Sequence, residues 1–95
     1  MRRTLATFLL VALTTGAANA ACYADYKAKK DGPLRLHYGV IELSEAACGD
    51  SVRARREVSE RVSRGGWTLL NVMSVFDASG LQQRKQSAAE FFLRF

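Results

Sequence analysis

Residues 67–76 read WTLLNVMSVF, and how this stretch is placed decides the fold. In an extended chain successive side chains point to opposite faces. Trp67, Leu69, Asn71, Met73 and Val75 then share one face, and Thr68, Leu70, Val72, Ser74 and Phe76 share the other. Apolar groups on both faces mark a strand covered on both sides. The pattern therefore predicts a central strand, with Trp67, Leu69, Leu70, Val72 and Met73 among the most buried residues.

Working back from it, Gly65-Gly66 reads as a helix stop, Gly65 taking the left-handed cap and Gly66 freeing the chain to turn. Residues 44–64 read as helix with a break at Gly49. Asp50 or Ser51 supplies the N-cap, and Ala54, Val58 and Val62 form an i, i+4 row toward the core. Arg53, Arg56, Glu57, Glu60 and Arg64 make a mixed solvent face; the run RARRE at 53–57 therefore does not read as a phosphate cluster. Residues 34–43 (LRLHYGVIEL) alternate as a half-buried strand. Leu34, Leu36, Tyr38 and Val40 lie on its apolar side, and Arg35, His37 and Gly39 on the other. Ile41 and Leu43 add apolar groups to the second face at its far end.

Working forward, residues 77–80 (DASG) turn the chain, and residues 81–90 form a short polar helix or a hairpin arm. Residues 91–95 (FFLRF) read as a last strand with Phe91, Leu93 and Phe95 on one face. The expected fold is α+β: a small three-stranded sheet with one main helix packed on a face, in the order β-α-β-β. The first and central strands are parallel through a right-handed crossover. Residues 22–31 (CYADYKAKKD) suit either a short helical turn or a strand, and serve as a lid on the sheet's other face.

The first twenty residues have another character. Arg2 and Arg3 precede an apolar run, Leu5 to Leu13, and Ala18-Asn19-Ala20 has the small residues of a signal-peptidase site. The run is shorter than the roughly 18 residues that a bilayer span needs. Residues 1–20 thus read as a secretory signal and residues 21–95 as one small domain. A lipid-bearing Cys22 fits badly, because Asn19 stands where a Leu-like residue belongs. Cys22 and Cys48 are the only cysteines, and an even pair in an exported chain reads as one disulfide. The remaining 75 residues carry 12 basic and 9 acidic side chains, a balance of +3. That mild charge favours anionic surfaces such as an acidic glycan and gives no reason to expect nucleic acid.

No motif for a nucleophile elbow, phosphate loop or zinc site occurs, so neither enzyme activity nor a cofactor or metal is expected. His37, the only histidine, has no serine, cysteine or carboxylate at a diagnostic spacing and reads as structural. Lys27, Lys29 and Lys30 with Tyr23 and Tyr26 make a basic, aromatic patch. Together with Arg35 and His37 they are the candidate binding surface. Trp67 reads as a core plug, or alternatively as a stacking platform for a sugar.

The stretches ACYADYKAKKDGPLRLHYGVIEL, GGWTLLNVMSVF and FFLRF resemble a group of uncharacterised short exported proteins of alphaproteobacteria. The central GGWTLLNV is also similar to short bacterial β-α-β-β domains of unknown function. Peptidoglycan-binding sporulation-related repeats share the small α+β sheet, but this chain lacks their second half. The resemblances imply an exported domain and bring no activity. The resulting expectation is a non-enzymatic periplasmic or secreted binding domain that takes an envelope protein or an anionic glycan. The alternative is an envelope peptidoglycan-binding module.

Overall fold

A computed structural model of the chain describes residues 21–95; the expected secretory signal, residues 1–20, lies outside the described residues. The chain runs β1 (Cys22–Lys30), β2 (Arg35–Leu43), α1 (Ser51–Ser63), β3 (Thr68–Asp77) and α2 (Gln82–Ala88), with 3₁₀ turns at Glu45–Ala47, Ala78–Gly80 and Ala89–Phe91. The fold is α+β: a three-stranded antiparallel sheet, one main helix, a short C-terminal helix and one disulfide.

The third strand is not the expected one. The sheet order is β2-β1-β3, so residues 22–30 form the central strand rather than a lid or a helical turn. The reason lies in its alternation. Cys22, Ala24, Tyr26 and Ala28 are buried on one face, while Tyr23, Asp25, Lys27 and Lys29 lie on the other. Both neighbours run antiparallel to β1. β2 and β3 therefore point the same way, as expected, but with β1 inserted between them.

Residues 68–77 are an edge strand, which corrects the reading of 67–76 as central. Pairing with β1 skips Met73 between Ser74 and Val72, and skips Leu70 between Asn71 and Leu69. These are β-bulges, each adding one residue to the strand and breaking its alternation. Trp67 and Leu69 are buried as expected. Val72 is half-buried, while Leu70 and Met73 are 42% and 49% exposed, because the bulges take them out of the pleat.

α1 covers the face of Ala24, Tyr26 and Ala28 with Ala54, Val58 and Val62, the row the spacing predicts. The small alanines on strand and helix allow a close approach. Asp50 caps α1 by accepting from the Arg53 N–H at 3.0 Å, and Gly49, at φ +106°, supplies the break before it. At the far end Gly66, not Gly65, takes the positive φ, +88°. The Trp67 N–H then closes onto the Val62 carbonyl at 3.1 Å.

The face of β2 on α1 is the one expected to be polar. His37, Gly39, Ile41 and Leu43 are all buried there, whereas Leu34 and Leu36 are exposed at 63% and 65%. A side chain on Gly39 would collide with the ring of Tyr26, its cross-strand partner. The missing side chain is the space the tyrosine fills.

α2 lies over the opposite face, where Val40 is fully buried. Residues 91–95 are not a strand. After Ala89 (φ +51°) the chain passes the outer edge of β2, forming one parallel bridge, Val40 to Phe92, with the Leu93 N–H on the Val40 carbonyl at 2.8 Å. Phe91 and Phe95 then pack against the α1-side core.

Candidate functional site

Three places gather polar or exposed groups that chemistry or recognition uses. The first is Asp25, at the centre of the face under α2. Ser74 Oγ donates to its carboxylate at 2.6 Å, Tyr38 OH at 2.8 Å and Arg84 Nε at 3.0 Å. Burial alone raises the Asp25 pKa; the three hydrogen bonds and the Arg84 charge outweigh it and hold the group below its ordinary value. Tyr38 is pushed up to about 12 by burial and by donating to that anion. Arg84 also donates to the Gly80 carbonyl at 2.8 Å and lies 3.9 Å over the Phe76 ring. The constellation ties three strands and α2 together around one satisfied charge. The Ser74 hydroxyl has a carboxylate but no imidazole, and the carboxylate's oxygens already hold three donors. It is a fastening, not a nucleophile–base pair.

The second place surrounds His37. Its ring stacks on Phe91 at 3.7 Å and meets Trp67 edge-on at 4.3 Å. Nε2 is 2.9 Å from the Tyr26 hydroxyl, and buried Nδ1 has no hydrogen-bond partner among the described residues. Burial, then the nearby charges of Arg94 and Lys30, push the His37 pKa down to about 4. A neutral imidazole enclosed by rings is a structural member of the core, not part of the exposed sheet face on which the sequence reading placed it. No group of three or more His, Cys, Asp or Glu suited to a metal occurs among the described residues.

The candidate binding residues do not form one surface. Tyr26 and His37 are buried on the α1 side, and Lys30 and Arg35 lie on that same side with their charges 4.6 and 5.7 Å from the Trp67 ring centroid. Tyr23, Lys27 and Lys29 face the other way. Tyr23 stacks near Phe76, Lys29 pairs with Asp31 at 3.2 Å, and only Lys27 is fully open. The correction follows from strand alternation, which separates neighbours in sequence by the thickness of the sheet. Cys22 and Cys48 are joined as expected, with Cα atoms 5.9 Å apart.

The third place went unread in the sequence. Among the described residues the outer edge of β3 has no strand beside it, and an open groove of about 620 Å³ runs between it and α1. The groove is lined chiefly by Val52, Arg55, Arg56, Glu60, Asn71 and Val72. Val52, Leu70, Met73 and Val75 add exposed apolar surface. Arg53 and Arg61 have acidic partners on their own helix, whereas Arg55 and Arg56 make no ion pair among the described residues. β3 carries no Lys or Pro and its one charge is the terminal Asp77; of the usual guards of an edge strand it has the two bulges alone. A strand uncharged but for its last residue, beside an arginine-rich helix, was a signal visible in the sequence. It was hidden by reading β3 as central. Comparison with protein-family models, curated proteins and solved structures finds no match for this chain.

Proposed function

We propose that the chain is an exported, non-enzymatic binding domain that engages another polypeptide along the open β3 edge and the groove beside α1. The observation that carries this reading is the contrast between the two sheet edges. The β2 edge is closed by the protein's own residues 92–93, with Arg61 Nη1 donating to the Glu42 carbonyl at 2.6 Å. The β3 edge presents backbone unpaired among the described residues beside exposed Leu70, Met73 and Val75. An extended segment added to such an edge gains main-chain hydrogen bonds from the strand and specificity from the flanking groove.

Export is supported by the N-terminal leader pattern and by the disulfide, which persists in oxidising compartments. No helix among the described residues is long and apolar enough to cross a membrane. The glycan alternative needs an exposed indole; Trp67 is 9% exposed, with Lys30 and Arg35 held near its ring.

The test is a photo-crosslinking residue placed at Met73 or, as a control on the other face, at Lys27 in the exported protein. Met73 should yield an adduct to polypeptide and Lys27 should not. Adducts at Lys27 alone, or polysaccharide adducts at either position, would overturn the reading. The mass of the exported chain should begin at Ala21; retention of residues 1–20 would reject export by cleavage.

A further inference from the structure

We infer that the tip of the β1–β2 hairpin docks on an anionic phospholipid surface. Leu34 and Leu36 enter the interface, and Lys29, Lys30, Arg35 and Arg64 meet the headgroups. The inference does not rest on the β3 edge, which is open along the side of the sheet, whereas the tip lies at its end.

The tip projects past β3. Lys29 pairs with Leu36 on one flank and with Thr68, the first residue of β3, on the other. The next rung, Lys30 with Arg35, has no β3 residue beside it, and the turn of residues 31–34 lies beyond. There Leu34 and Leu36 are 63% and 65% exposed, and neither belongs to the core cluster. Transfer of such a side chain out of water is worth a factor of about ten or more in a partition equilibrium.

Charge is gathered at the same end. α1 closes at its C-cap, Arg64. Gly66 then brings the chain against Lys30, whose amine is 3.3 Å from where a side chain on that glycine would begin. Residues 29–36 and 63–68 thus meet, and they carry four cations and one acid, Asp31. The rest of residues 21–95 holds eight side chains of each sign, so the balance of +3 resides at this end. At the opposite end Cys22 pairs with Leu43 and Asp77 and is bonded to Cys48. Glu42, Glu45, Asp50 and Asp77 cluster around that end of the chain path. The molecule is polarised along its strands, and an anionic plane draws it in tip first.

The cations also surround the tip. Alternation sends Lys29 to the α2 side and Lys30 and Arg35 to the α1 side. A cleft-shaped partner would engage one face of the sheet, while a plane met end-on engages both. Lys29 holds Asp31 at 3.2 Å; Lys30, Arg35 and Arg64 have no ion pair among the described residues. Binding at a membrane interface combines buried apolar area with attraction to anionic lipid, and the tip supplies both.

The experiment is co-sedimentation of the oxidised chain, residues 21–95, with vesicles of phosphatidylglycerol and phosphatidylcholine. The chain should bind these, should ignore vesicles of phosphatidylcholine alone, and should be released by salt. Leu34→Ser and Leu36→Ser should each weaken binding about tenfold. Lys30→Gln, Arg35→Gln and Arg64→Gln should each weaken it about fivefold. Arg53→Gln removes the same charge from the first turn of α1 and should change nothing. Far-UV circular dichroism should be the same for all of them. The added indole of Leu34→Trp should move its emission to the blue on the mixed vesicles. No binding to the mixed vesicles, equal binding to the neutral ones, or an emission that does not move would overturn the inference. So would binding that ignores both leucines, which would mark a site for anionic polymers such as a glycan. A loss with Arg53→Gln as large as with Arg64→Gln would also overturn it, because the charge would then act without regard to place. None of these outcomes bears on the Met73 adducts, which test the β3 edge separately.

Discussion

At the scale of single residues, the sheet is organised by two groups the solvent does not reach: the Asp25 carboxylate and the His37 imidazole. They titrate in separate windows. His37 ordinarily binds a proton at 6.5 but in the folded chain only near 4. Between those values the unfolded chain holds the proton and the native one does not, so stability falls as pH drops from 6.5 toward 4. Asp25, with its pKa lowered from 3.8, adds stability that is present above 3.8 and lost only as pH falls through its depressed value. The melting temperature of the wild type should thus decline across pH 6.5 to 4, and His37→Phe should flatten that interval while leaving the drop below it. A variant that keeps the full slope would assign the titration to another group. Gly39 offers a test of packing. Any Cβ there meets the Tyr26 ring, so Gly39→Ala, ordinarily favourable in a strand, should cost about 1–3 kcal/mol by overpacking. Chemical denaturation showing no loss would mean that the tyrosine is free to swing away.

At the scale of elements, the disulfide links the start of the central strand to the turn before α1, and its loop spans a sequence separation of 26. Closing such a loop stabilises by about 3.5 kcal/mol in the chain-entropy model. Cys22→Ser should lower the melting temperature by about 4–8 °C for each kcal/mol lost. Cys48→Ser should match it, and the double variant should be no worse than either, because one bond is broken in all three. Additive losses would mean that the cysteines act separately. Those two residues were legible in the sequence, as were β2 and α1 with its Asp50 cap and its Ala54–Val58–Val62 row; residues 81–90 were open between helix and hairpin arm, and the structure makes 82–88 helix. The role of β1 was not. Its buried face is built from Ala24, Ala28 and one tyrosine, too little hydrophobicity to announce a central strand. Asp25 looks like a solvent residue until Arg84, 59 positions later, arrives to pair with it. β3 misled in the opposite sense. Its apolar residues exceed what the core takes, and the excess is displaced by bulges that alternation cannot foresee. The binding residues expected on β1 and β2 are divided between the two faces of the sheet. They were neighbours in sequence on strands whose faces diverge.

At the scale of the whole molecule, α1 and α2 occupy opposite faces of one sheet. The Arg61 guanidinium, 2.7 and 3.2 Å from the Phe95 carbonyl, latches the last segment against the main helix. One edge is met by the chain's own residues 92–93, and among the described residues the other has no strand beside it. The placement of β1 also has a consequence in time. Of the three strands the central one is the first to be made, yet its pairing with β3 runs from Cys22 to Asp77. The hairpin with β2 closes through a short local turn, so it forms early, while the other flank of β1 waits for the 34 residues from the end of β2 at Leu43 to the end of β3 at Asp77. At about 5–20 residues per second of synthesis, that flank stays bare for seconds, and during that interval any extended chain is a competitor. A fragment ending at Ser63 should therefore fold its hairpin, oxidise Cys22 to Cys48 and then self-associate through the vacant side of β1. Adding a peptide of residues 67–77 should suppress that association as measured by light scattering. A fragment that stays monomeric without the peptide would show that α1 shields the strand until its last partner arrives.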